Sequence, residues 1–76
     1  MIDLPYSLII EATDDPMFFG FYSPDLEGFD GAGNSIENCL SQARRGMREH
    51  VDALRRKGLP VPDVNLDPTI TIRNQR

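Results

Sequence analysis

Hydrophobic and polar residues alternate from the start of the chain. In "YSLIIEA", Tyr6, Leu8, Ile10 and Ala12 share one parity, and Ser7, Ile9 and Glu11 the other. A period of two with β-branched and aromatic residues predicts a strand over Tyr6–Ala12 with one apolar face. "DDP", Asp14 to Pro16, reads as a turn, because Asp side chains bond nearby backbone and proline fixes its own φ. "MFFGFYS" then predicts a second strand, with Met17, Phe19 and Phe21 on one face and Phe18 and Tyr22 on the other. So short a connection predicts an antiparallel hairpin. Gly20, set among aromatics, predicts a bulge or a close backbone approach.

Beyond a glycine-rich stretch the period changes. Ile36, Leu40, Ala43, Met47, Val51 and Leu54 recur at spacings of three and four, which predicts a helix with one apolar stripe. Asn34 or Ser35 is placed to cap its first N–H groups, and Glu37 suits the positive end of the helix dipole. Arg55, Arg56 and Lys57 suit the negative end, and Gly58 is a natural stop before "LPVP". Gly46, in mid-helix, points to close packing against the sheet. "LPVPDVNLDP" is too proline-rich for regular structure. "TITIR", Thr69 to Arg73, alternates again as a last strand. The expected architecture is α+β: a small antiparallel sheet with one helix packed on one face.

Length and charge narrow the function. Seventy-six residues make a single domain, 1–76, whose small core makes self-association a reasonable expectation. The net charge of −4 argues against a general nucleic-acid or anionic-membrane binder. Asp3, Glu11, Asp14, Asp15, Asp25, Glu27 and Asp30 all precede residue 35 with no Lys or Arg among them, while Arg44, Arg45, Arg48, Arg55, Arg56 and Lys57 follow. Such asymmetry either orients the domain toward a charged partner or is ordinary solvated surface. A lone Cys39, no apolar run of membrane length and no basic leader point to a soluble, cytoplasmic protein.

The stretch "SPDLEGFDGAGNS", Ser23 to Ser35, raises the question of a phosphate-binding loop. Gly28, Gly31 and Gly33 do not fit the Walker spacing, no Lys precedes Ser35, and Asp25, Glu27 and Asp30 would repel an anion. A calcium loop starting at Asp25 would put Phe29 and Ile36 where the metal needs oxygen. His50 has no partner that would make it a general base, and Cys39, beside the apolar stripe, reads as a small packing residue. Asp14 and Asp15 read as solvated turn acids rather than magnesium ligands. No catalytic residues, metal ligands or cofactor-binding residues emerge, and no cofactor is expected.

Three segments in order, "FYSPDLEGF", "GNSIENCL" and "ALRRKGLPVPDV", resemble the HicB antitoxin family. Pro24, Asp25, Leu26 and Gly28 fit its Pro-Asp-Leu-x-Gly turn. Gly33, Asn34, Ser35, Ile36 and Glu37 fit its helix start, and Gly58, Pro60 and Pro62 its helix exit. Tyr6 to Val64 is covered. The resemblance implies a β-β-β-α-β, partial ribonuclease-H-like fold without nuclease activity, in a protein that neutralises a small basic HicA-like toxin cleaving mRNA. It also implies a short third strand within the glycine-rich stretch, where Asp30 and Gly31 are poor strand formers. Family members usually continue into a DNA-binding segment; with the sequence stopping at Arg76, no C-terminal DNA-binding domain and no direct DNA binding by this chain alone are expected.

Two function classes follow. One is an antitoxin-type module meeting its toxin through Asp25, Glu27 and Asp30. The other is a stand-alone oligomeric HicB-like interaction or accessory domain without a toxin. In either, Thr69, Ile70, Thr71 and Ile72 form an alternating edge strand expected to pair copies into a dimer or tetramer.

Overall fold

A computed structural model describes residues 3–74. Its elements run β1 (Leu8–Ala12), β2 (Phe19–Tyr22), β3 (Asp30–Gly33), α1 (Ile36–Arg56) and β4 (Ile70–Asn74). They build one sheet in the order β3-β2-β1-β4 with α1 packed on one face. The predicted order β-β-β-α-β and the two-layer arrangement are those observed.

The hairpin forms as the alternation predicts, with Ile10 opposite Phe21 and Ala12 opposite Phe19. Both strands are shorter than the apolar pattern, and in each case a side chain takes the backbone N–H. The Ser7 N–H donates to the Asp25 carboxylate rather than to a ladder. The Met17 N–H donates to Asp15 Oδ1, and the Phe18 N–H donates to the Asp15 carbonyl, so the turn runs on to Phe18 and leaves Met17 exposed. Gly20 forms no bulge: its register with Glu11 and with Ala32 is unbroken. The weak strand formers of β3 do pair. Phe21 lies opposite Gly31, and a Cβ there would come within 2.5 Å of the Phe21 ring. A side chain at that point would displace the ring, so glycine is required despite its poor strand propensity.

Ser35 caps α1, its Oγ accepting from the Asn38 N–H at 3.0 Å. At the far end the Leu59 N–H donates to the Leu54 carbonyl and the Gly58 N–H to the Arg55 carbonyl, with Gly58 at φ +70°. This paired closure is a Schellman motif, and it needs the left-handed residue that glycine supplies. The most deeply buried row of the helix is Cys39, Ala43 and Met47; Ile36, Leu40, Val51 and Leu54 flank it, half-buried. They meet Tyr6, Leu8, Ile10 and Phe21 from the sheet side. Gly46 sits against Phe29, where a Cβ would approach the ring to 2.9 Å. The close packing expected there is therefore with the residue preceding β3.

The last strand begins one residue later than predicted and adds parallel to β1, with Leu8 beside Ile70 and Ile10 beside Ile72, so the sheet is mixed rather than wholly antiparallel. The helix and the proline-rich link carry the chain back to the end of the sheet where β1 starts. A strand entering from there must run alongside β1 in the same direction. The link is held down by two bonds to the start of the chain: Asn65 N–H to the Pro5 carbonyl, and Tyr6 O–H to the Pro62 carbonyl at 2.6 Å.

Candidate functional site

The loop from Ser23 to Phe29 joins β2 to β3 at the end of the sheet away from the hairpin turn. Ser23 Oγ accepts the N–H groups of Asp25 and Leu26, both at 3.2 Å, and the Ser23 N–H reaches the Phe29 carbonyl at 3.4 Å. That turn drives Leu26 fully into the core and Phe29 nearly so. Phe29 lies against Phe21 with ring centroids 5.8 Å apart and meets the edge of His50 at 6.0 Å. Gly28 takes φ +83°, and His50 Nε2 lies 3.2 Å from the Glu27 carbonyl, pinning the loop to the flank of α1. Two apolar anchors and two polar ties make this a rigid loop on a rigid scaffold.

The three acids predicted to meet a partner have different circumstances. Asp25 is half-buried, and its Oδ2 accepts from the Ser7 N–H at 2.9 Å and from Asn65 Nδ2 at 2.8 Å. The bond from Asn65, then that from Ser7, holds its carboxyl below the ordinary value of 3.8. Asn65 Nδ2 also lies 3.2 Å from Ser7 Oγ, which accepts the Thr69 N–H at 2.9 Å. Asp25 therefore joins the loop, the start of β1 and the end of the link. Glu27 and Asp30 are exposed, one on the loop and one opening β3. Among the described residues neither is in an ion pair. Asp14 and Asp15 lie at the hairpin turn, the opposite end of the sheet, and Asp15 is engaged in that turn.

Arg44, Arg45, Arg48, Arg55 and Arg56 are distributed along the exposed side of α1. Arg44 Nε donates to both carboxylate oxygens of Asp3, at 2.8 and 3.0 Å, and this bond lowers the Asp3 pKa. Arg55 lies 4.0 Å from Asp52. A cleft of about 600 Å³ opens between α1 and the segments around Tyr6 and Pro62, with Arg48 and Val51 on one wall and Val61 and Val64 on the other. It contains neither Glu27 nor Asp30. Its charged lining mixes Arg44, Arg48 and Arg55 with Asp3, Asp52 and Asp63, so it favours no one ligand charge.

Cys39 is fully buried, and burial pushes its thiol up, away from the reactive thiolate. No group of three or more His, Cys, Asp or Glu among the described residues is placed to hold a metal ion, and no helix there is long and apolar enough to cross a membrane. Of the edge residues, Ile70, Thr71 and Ile72 lie in β4 at one margin of the sheet, and Thr69 immediately precedes it.

Sequence reasoning missed the ties made by His50 and Asn65. His50 lies on the flank of α1, 23 residues from Glu27, and Asn65 lies in a segment without periodicity; neither carries a local signal. No family model matches this chain, and neither a curated protein nor a solved structure matches it.

Proposed function

We propose that this chain is a HicB-like, antitoxin-type interaction domain that binds a small basic HicA-like toxin by contact and carries out no catalysis itself. The observation that supports this best is the pair of exposed carboxylates, Glu27 and Asp30, on and beside a loop anchored by Leu26, Phe29 and Asp25. A ribonuclease attracts a polyanion, so the face to be covered is basic, and a fixed acidic surface complements it. Asp25 serves this surface as its internal brace.

The test is Glu27→Lys combined with Asp30→Lys, with Asp25 left intact. The probe is a short basic protein encoded beside this chain, where the neighbouring genes supply one, and binding is followed by stopped-flow association at low and high salt. Association is expected to slow by about tenfold or more at low salt and much less at high salt, because charge complementarity acts mainly on encounter. Folding stability should stay within about 0.5 kcal/mol, since both residues are exposed and neither is in an ion pair among the described residues. Unchanged association of a correctly folded double variant would overturn the assignment of this surface. The absence of any such basic neighbour would favour the second reading, a stand-alone self-associating domain, which the open margin at β4 supports.

A further inference from the structure

The two margins of the sheet are unlike. At β3, the outward carbonyl of Ala32 is occupied by Gln42 Nε2 at 2.8 Å, and the exposed Asp30 adds a charge. Short length, glycine and an inward-reaching side chain are ways in which proteins block an edge. At β4 the one charge is Arg73, and among the described residues no side chain occupies an outward backbone group of the strand. The Leu8 N–H donates to the Thr69 carbonyl while Leu8 stands beside Ile70. In a parallel ladder that pattern turns the N–H and C=O groups of Thr69, Thr71 and Arg73 toward β1 and leaves those of Ile70, Ile72 and Asn74 pointing outward. On the face that bears α1, the helix lies over β1, β2 and β3 and farther from β4, of which Ile70 still packs against the core. Ile72 is consequently 53% exposed.

We propose that β4 pairs antiparallel with β4 of a second copy, about a two-fold axis through Thr71, joining two sheets into one continuous sheet. This deepens the self-association reading and is independent of toxin binding. The register follows from the residues. Outward-facing groups must bond to outward-facing groups. Ile70 opposite Ile70 would set Pro68, which has no N–H, against Ile72, and Ile72 opposite Asn74 would set Arg73 against Arg73. That leaves Ile70 opposite Ile72 of the other copy, or Ile72 opposite Ile72. The first places both isoleucines of each strand together on the helix side, filling the ledge that α1 leaves open. It sets Thr71 against Thr71 on the other face and Arg73 against Thr69, toward the stretch that carries Asp67. The second brings the two Arg73 side chains onto neighbouring diagonal positions, where like charges repel. Charge and apolar pattern select the same register. A second copy is the occupant that this register fits, because one strand supplies both members of each Ile70–Ile72 pair and of the Thr71 pair.

Sedimentation of the full chain at high micromolar concentration tests association, with Ile72→Lys as the disrupting variant and Ile72→Pro as a second. Residue 72 points its N–H outward, so proline there removes no bond to β1. Wild type is expected to sediment as a dimer, and each variant to weaken the dimer by about tenfold or more while keeping its circular dichroism. The register is tested separately by mild oxidation of Thr71→Cys and Ile72→Cys. Cα atoms of a non-hydrogen-bonded antiparallel pair lie about 4.5 Å apart, within disulfide reach. Residue 71 should therefore cross-link and residue 72 should not; the native Cys39 is buried and does not compete. A monomeric wild type, an intact Ile72→Lys dimer, or cross-linking through residue 72 alone would each overturn the proposal. None of these outcomes bears on whether Glu27 and Asp30 meet a basic partner.

Discussion

Replacing Asp25 with alanine removes one acceptor that serves two donors in different parts of the chain. The Ser7 N–H, in a residue only 7% exposed, loses its partner, and Asn65 Nδ2 loses one of two. Hydrogen bonds to a charged acceptor contribute about 1.5–3 kcal/mol each. Asp25 is only half-buried and Asn65 keeps Ser7 Oγ, so the loss should fall near the lower end, at about 2–3 kcal/mol in total. Asp25→Asn retains an acceptor oxygen of the same shape and should cost about 1 kcal/mol. For a domain of this size the urea dependence is about 1 kcal/mol per molar, so the Asp25→Ala midpoint should fall by about 2–3 M. That is a large share of the roughly 5 kcal/mol available to so small a core.

The pH dependence has a definite sign. Bonds from Asn65 and Ser7 lower the folded-state pKa of Asp25 below 3.8. The carboxylate's contribution is then fully present above the unfolded value and is lost as pH falls through the lower folded one. The stability gap between wild type and Asp25→Asn should therefore be flat around neutrality and close under more acidic conditions, below about pH 4. An unchanged midpoint for Asp25→Ala at neutral pH would refute the bracing role, and a gap that persists undiminished in acid would refute its electrostatic origin. Reversing Asp25, Glu27 and Asp30 together would mix this folding effect with any effect on a partner.

Met47→Ala, at a fully buried position in the helix's central row, should cost about 2–5 kcal/mol in urea unfolding, and the half-buried Leu40→Ala about half as much. Equal losses would show that the row Cys39, Ala43 and Met47 is not the centre of the helix–sheet contact. Gly46→Ala should gain up to about 1 kcal/mol of helix propensity but lose about 1–3 kcal/mol to the contact with Phe29, for a net destabilisation. A raised thermal midpoint would mean that the Phe29 ring yields without cost.

The hairpin and the helix were legible because their side-chain periods are imposed by burial of one face. Leu26 and Phe29 were not, since two apolar residues among acids and glycines have no period, although both enter the core. Asp25 in a turn has the same sequence signature whether it faces solvent or braces the fold, and its donors lie 18 and 40 residues away. Exposure at Glu27 and Asp30 follows from the same local pattern, so the sequence could place the acidic surface but not separate its brace from its exposed pair. The direction of β4 was equally hidden. An alternating segment of five residues pairs either way, and only the end at which the link delivers it decides.

The parallel pairing of β1 with β4 also bears on the order in which the chain assembles. Thr13 and Phe18 close the hairpin across five residues, whereas Ser7 and Thr69 meet across sixty-two. The logarithmic cost of closing the longer loop exceeds that of the shorter by about 2 kcal/mol. On those grounds β1, β2, β3 and α1 can collect around the Leu8–Phe21–Met47 core first, and β4 closes the sheet last. Its bonds to Ser7 through Thr69 and Asn65 then act as the latch of a nearly finished fold, and the strand that latches last is also the one whose outer edge stays open.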